Sequence, residues 1–282
     1  MILELSLGFI IGLTMLAFVC EYVDSTLGMG YGTTLTPLLL IMGYNPLEIV
    51  PVVLISELFS GLLAGFLHHR EGNVDLKLKT LDLYVIGQRL KELGHIECFK
   101  RGVPLHLRVA LLLTLCSVVG TVTAVFLAVN LPKFWIKLYI GALVLAMGIV
   151  IIICFNKKFK FSWHKIVGLG LLASFNKGIS GGGYGPVVTS GQILSGVKGK
   201  SAVGITSLAE GLTCAVGIIS YIFISQKPLD LKLAPFIIVG AVLSVPFSAK
   251  SVKKVTEKKL KLCIVVLTII LGIFTIIKTI RS

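Results

Sequence analysis

The chain of 282 residues is 55% hydrophobic and only 14% charged, with a mean hydropathy of +0.96. Soluble domains carry roughly 25% charged residues, so too little polar surface is left to cover a water-soluble globule, which excludes a soluble enzyme. The net charge of +14 does not indicate a nucleic-acid binder, because Lys and Arg fall in short runs between long apolar stretches, as in cytoplasmic loops of membrane proteins.

A helix needs about 20 apolar residues to cross the hydrocarbon core. Residues 4–20 open the series. Glu4 stands where a secretion signal carries Lys, so this stretch reads as a retained helix. Residues 27–43 are apolar but broken by glycine, and 47–67 follow with Glu57 near the middle. A polar interval at about 69–102, containing Gln88, Arg89, Lys91 and Glu92, has room for a short surface helix. Then come 104–128, 134–155, two further glycine-broken stretches at 164–176 and 181–196, and finally 202–224, 233–249 and 260–279. Basic runs at Lys157, Lys158 and Lys160, and at Lys250, Lys253, Lys254, Lys258, Lys259 and Lys261, separate the later stretches.

The chain repeats itself. Gly28-Met29-Gly30-Tyr31-Gly32 recurs as Gly181-Gly182-Gly183-Tyr184-Gly185, and the same 153-residue shift carries Gly43 onto Gly196, Val50 onto Val203 and Glu57 onto Glu210. Asn73-Val-Asp75-Leu-Lys77-Leu echoes Pro228-Leu-Asp230-Leu-Lys232-Leu. Two transmembrane repeats follow, 1–155 (with the polar loop) and 156–282. If all ten stretches cross, 20 of the 27 Lys and Arg fall on one side, within 69–108, 157–165, 198–200 and 250–261. If the two glycine-rich segments alone turned back, the split would be 16 to 11. The sharper asymmetry favours ten crossings, both termini outside and inverted repeats. The expected fold is an all-α polytopic membrane protein with glycine-broken helices near the midplane.

Glycine lets backbone approach a ligand and leaves amides uncovered. At a helix break in mid-membrane, those amides and the positive end of the next half-helix form an anion site. Thr33, Thr34 and Thr36 follow the first cluster and Thr189 and Ser190 the second, while Pro37 and Pro186 fit freshly started helices. The competing reading is close helix packing through small residues. Glu57 and Glu210 each cost about 2.5–3.5 kcal/mol on insertion scales, so each should face a cavity or a partner. Their readings are proton or cation coupling, or capping of the glycine amides, and each is expected to reach its own break's backbone. Asp24 and Lys177 occupy equivalent positions, and Lys177 reads either as an anion attractor or as an interfacial snorkelling lysine. For His68-His69-Arg70 interfacial anchoring is favoured over a proton relay.

The six cysteines (Cys20, Cys98, Cys116, Cys154, Cys214, Cys263) show no CxxC spacing and read as apolar fillers. Gly199-Lys200-Ser201 ends like a phosphate loop, but Leu194 stands where its first glycine belongs. No hydrolase or metal-ligand pattern occurs, so no catalytic residue, metal or cofactor is expected.

The two glycine motifs, the Pro37-Leu38-Leu39 run and Ala202-Val203-Gly204-Ile205-Thr206-Ser207 resemble the TauE/SafE family of sulfite and organosulfonate exporters, over essentially the whole chain. The first motif, GMGYG, departs from the family's adjacent glycines. The resemblance implies a secondary carrier of small sulfur-containing anions, an exporter in a bacterial inner membrane. The candidate substrate-binding set is Gly28, Gly30, Tyr31, Gly32, Thr33, Ser180, Gly181, Gly182, Gly183, Tyr184, Gly185, Thr206 and Ser207. Glu57, Glu210, Asp24 and Lys177 form the candidate coupling and gating set, with a coupled proton as a candidate partner beside the anion and the lipid bilayer. A passive anion channel of the same fold and a membrane-embedded enzyme are the rivals.

Overall fold

The computed structural model describes residues 6–78, 101–154, 162–194, 197–225, 228–252 and 257–281, with 80, 88, 91–92 and 97–99 of the polar interval. Gly196, Arg89 and the basic residues Lys157, Lys158, Lys160, Lys253 and Lys254 lie outside the described residues. Among the described residues the chain forms α1 (Leu7–Leu27), α2 (Tyr31–Ile41), α3 (Pro46–Arg70), α4 (Leu105–Asn130), α5 (Lys133–Cys154), α6 (Trp163–Ser180), α7 (Tyr184–Leu194), α8 (Gly199–Ile224), α9 (Ala234–Ser251) and α10 (Glu257–Arg281). Each apolar stretch of the sequence corresponds to one helix. Boundaries follow local chemistry: Pro46 starts α3 after Asn45, whose backbone and side-chain amides donate to the Glu48 carboxylate at 3.2 and 2.6 Å.

Among the described residues, six helices are long and apolar enough to cross a membrane: α1, α3, α4, α5 (to Val150), α8 and α9. Phe223, Leu115, Phe247 and Phe126 turn outward, whereas acids, hydroxyls and amides are buried inside. That is the distribution a lipid solvent permits.

The helix pairing is unchanged when the first five helices are exchanged with the last five. α1 packs on α9 as α6 packs on α4, α4 meets α8 as α9 meets α3, and α3–α8 and α5–α10 join the halves. The two largest buried apolar clusters among the described residues include equivalent residues, Tyr31 and Leu35 in one and Tyr184 and Val188 in the other. The echoed loops also match, since Asp75 and Asp230 each accept the N–H two residues on, from Lys77 and Lys232, at 3.1 Å. The Lys232 backbone N–H and ammonium hold the Asp230 carboxyl below its ordinary range.

Full crossing by all ten segments does not hold. With 11 residues each, α2 and α7 rise about 16 Å, roughly half the hydrocarbon thickness. Instead, α1–α2 and α6–α7 are hairpins. α1 runs beside α9 in the same sense, Thr14 against Gly240 and Phe18 against Phe247. α9 ends beside the end of α3, where the Asn73 side chain donates to the Ala249 carbonyl at 3.1 Å. α1 therefore begins at the end of the bundle where α3 begins. α2 returns there, its Ile41 carbonyl taking the Lys278 ammonium. α6 runs beside α4 from the opposite end, Gly170 against Leu113 and Cys116, Gly178 against Thr121 and Ala124. α7 returns to that end, where Ser201 of α8 donates to the Asn73 carbonyl at 3.1 Å. Because a hairpin of two helices and a pair of crossings leave the chain on the same side, the 20 clustered Lys and Arg still share one side, while Lys177, counted on the other, lies inside the second hairpin.

Candidate functional site

Both hairpins turn in the same way. Gly28 and Gly181 cap α1 and α6 in left-handed backbone (φ 70° and 69°), their N–H groups donating to the carbonyls of Asp24 and Lys177. A side chain is disfavoured at that φ. The tips then abut: a Cβ on Gly32 would stand 1.8 Å from the Gly181 carbonyl oxygen, and one on Gly185 2.2 Å from that of Gly28. Small residues here allow backbone to meet backbone, so close packing accounts for Gly32, Gly182 and Gly185.

Some tip amides are already engaged. Tyr31 N–H donates to Asp24 Oδ1 at 3.1 Å, and Gly182 N–H to Ser180 Oγ at 3.0 Å. Thr33 donates to the Gly30 carbonyl and Ser207 to the Val203 carbonyl. Thr189 donates to the Gly28 carbonyl at 2.7 Å, joining the second half to the first tip. The Thr206 hydroxyl lies 2.9 Å from that of Thr189 and accepts from Gln192 at 3.0 Å. Tyr31 and Tyr184 are fully buried, the first bonded to Ser56 at 2.7 Å. Gly183 is also at positive φ, and a Cβ there would meet Leu143 at 3.1 Å and Asn176 at 3.3 Å.

The charged residues converge beside the tips. Lys177 is wholly buried, and its ammonium donates to Glu210 Oε1 at 2.7 Å and to Glu57 Oε2. Asp24, Glu57 and Glu210 each offer an oxygen within 4.8 Å of the others. All four candidate coupling residues are thus in one cluster, drawn from α1, α3, α6 and α8. Three carboxylates that close could hold a cation, but the Lys177 ammonium already stands against two of them. Carboxylates within 4.8 Å of one another repel by about 3 kcal/mol or more per pair at an effective dielectric near 20; Lys177 offsets this for Glu57 and Glu210, and the fully ionised cluster keeps a net negative charge.

Three expectations change here. Glu57 and Glu210 do not reach their own breaks' backbone; Asp24 caps the first tip, and the two glutamates meet Lys177. Lys177 does not snorkel, because it sits in the last turn of a helix that ends inside the protein. His68 is not an interfacial anchor: it is buried, with Nε2 2.8 Å from the Ser25 carbonyl oxygen and Nδ1 3.0 Å from Asn73 Nδ2. The sequence reading also passed over Glu21, buried one turn before Asp24, with Oε1 accepting from Ser25 at 2.6 Å. The available signal was that the first helix runs on past residue 20 to Leu27, which takes this carboxylate into it.

The α3–α8 contact differs between its two ends. Pro51, Ile55, Ile218, Ile222, Pro228, Leu229 and Leu231 line a cavity of about 340 Å³ between α3, α8 and the 228–231 loop. The repeat carries this lining onto Gly204, Leu208, Gly65, His69, Asn73, Val74 and Leu76 at the other end. There the space is closed, with Val74 pressed onto Gly204 and Leu208 onto Gly65, so that a Cβ on either glycine would meet them within 3.0 Å.

Paired half-helices meeting around buried charge, inside a bundle whose outer face is apolar, define a membrane transporter architecture. The sulfite exporter TauE/SafE family pattern matches residues 13–84 and 93–275, and the chain belongs to that family of membrane transporters. It is 26% identical over 247 residues, 83% of this chain and 71% of the relative, to a Bacillus subtilis (strain 168) protein named "Probable membrane transporter protein YtnM". No solved structure matches the chain.

Proposed function

We propose that the protein is a secondary transporter of small sulfur-containing anions, such as sulfite or short organosulfonates, and that it works by alternating access as an exporter. The observation that carries this reading is Lys177, a buried ammonium at the junction of two half-helix tips, within an apolar bundle. The ammonium supplies charge, the tyrosine and hydroxyl groups around the tips supply orientation, and the half-helix N-termini add positive potential. Glu57, Glu210 and Asp24 set when Lys177 is available.

The unequal ends support alternating access. In this reading the repeats are inverted, with the 20 clustered basic residues and the 70–104 loop cytoplasmic and both termini outside. The cavity at Ile55 and Ile218 then faces out, and the Val74–Gly204 contact closes the inward path. Exchange of the two arrangements between the halves would open the site to the other side. A channel would require both ends open together.

Counterflow into proteoliposomes tests the reading. Vesicles loaded with unlabelled sulfite, thiosulfate or methanesulfonate should accumulate the labelled anion transiently, as a carrier does. Equilibration without overshoot for every anion would count for a channel, and no flux at all against an anion carrier of this class.

A further inference from the structure

Lys177 is held by Glu57 Oε2 and Glu210 Oε1, and the other Glu57 oxygen, Oε1, is buried with no hydrogen-bond partner among the described residues. Asp24 adds a third carboxylate to the cluster, and Glu21 stands one turn away on α1. An anion that pairs with Lys177 must compete with two carboxylates for one ammonium. Success would leave Glu57 as a buried carboxylate without its cation, beside Glu210, Asp24 and the arriving negative charge.

We infer that the anion and a proton bind together: the anion takes the Lys177 ammonium while the proton goes to Glu57 at Oε1, making the protein a proton–anion symporter. This rests on the anion-carrier reading above. The empty site is then closed by its internal ion pairs, and the loaded site has exchanged them for an anion and a neutral acid. Flux follows the combined gradients, so an anion accumulated inside carries protons out with it.

The groups facing Glu57 are compatible with this exchange. Asp24 of α1, Tyr31 of α2, Lys177 of α6, and Glu210 and Cys214 of α8 face Glu57 itself, while Cys20 and Glu21 of α1 and Tyr184 of α7 stand beside those neighbours. α5 contributes Tyr139, bonded to Asn176, and its lysines, Lys133 and Lys137, lie in its first turns; Lys250 lies in the last turn of α9. Thus Lys177 is the buried ammonium among the described residues that face the cluster.

The test is isothermal titration of the purified protein with thiosulfate, sulfate and methanesulfonate, which do not titrate between pH 5.5 and 8, in buffers of different ionisation heat. With one linked proton, affinity should weaken about tenfold per pH unit on the alkaline side, and the buffer dependence should report about one proton taken up per anion. The Glu57→Gln variant should bind with a flat pH profile and no proton uptake, and a Glu48→Gln variant should keep the wild-type profile. Binding with no proton uptake, or an unchanged pH slope in Glu57→Gln, overturns symport while leaving the carrier reading intact. No binding of any anion, with monodisperse protein, overturns the carrier reading and the symport that rests on it. If Glu57→Gln fails to fold, uptake by wild-type proteoliposomes under an imposed pH gradient decides. External acid should accelerate methanesulfonate entry with the potential clamped, and no response to the gradient overturns the proposal.

Discussion

His68 and Tyr221 perform the same task from opposite halves of the chain. His68 Nε2 lies 2.8 Å from the Ser25 carbonyl oxygen, and the Tyr221 hydroxyl donates to the Gly178 carbonyl at 3.0 Å. Donors and acceptors are each separated by the same 153 residues. Ser25 and Gly178 lie in the last turns of α1 and α6, where helix carbonyls lose their intrahelical partners. Asn73 donates to His68 Nδ1 at 3.0 Å, which fixes a neutral ring with its proton on Nε2.

Removing either donor should leave a buried carbonyl unsatisfied, at about 1–3 kcal/mol. Tyr221→Phe and His68→Phe should each lower the thermal midpoint in detergent, while Tyr44→Phe should not. Wild-type melting in both variants would show that the two hydrogen bonds do not hold the hairpins.

The abutting tips give a steric prediction. Gly32→Ala and Gly185→Ala should prevent correct assembly, since the added carbon would stand 1.8 and 2.2 Å from backbone oxygens. Gly8→Ala and Gly168→Ala, where nothing lies within 4 Å, should express as the wild type does. Size-exclusion profiles of the four variants provide the check. Normal assembly of Gly32→Ala would mean that the tips do not touch.

The unequal ends predict unequal chemistry. In a variant without the native cysteines, Ile55→Cys should react with a membrane-impermeant maleimide from outside, and Leu208→Cys should be protected. Adding transported anion should slow labelling at the first and raise it, from inside, at the second. Equal labelling of both before and after anion addition would contradict alternating access.

The repeat was legible in the sequence because glycines and acids share one register over both halves, and the elements fell where apolar length placed them. The hairpins were not legible. Charge parity treats two crossings and one hairpin alike, so α2 and α7 needed their actual length to be read as half-helices. Glu57, Glu210, Asp24 and Lys177 were identifiable as charges in apolar stretches, but their convergence depends on packing between helices 120 and 33 residues apart in the chain. Lys177 is ambiguous in sequence because a lysine one turn from a helix end reads as snorkelling unless that end is known to be buried. Glu21 fell between the first two apolar stretches, 4–20 and 27–43, with no counterpart acid in the second half to mark it.

Lys177 bears the central claim, and its loss should separate stability from function. Lys177→Met leaves Glu57 and Glu210 facing each other unpaired, at about 3–5 kcal/mol for a broken buried pair. Adding Glu57→Gln and Glu210→Gln should recover most of the lost thermal stability. The decisive measurement is counterflow of labelled thiosulfate by proteoliposomes of this triple variant beside the wild type, with insertion verified for both. The account predicts a folded protein without counterflow, since no ammonium remains to receive the anion. Counterflow at the wild-type rate from the triple variant would contradict it.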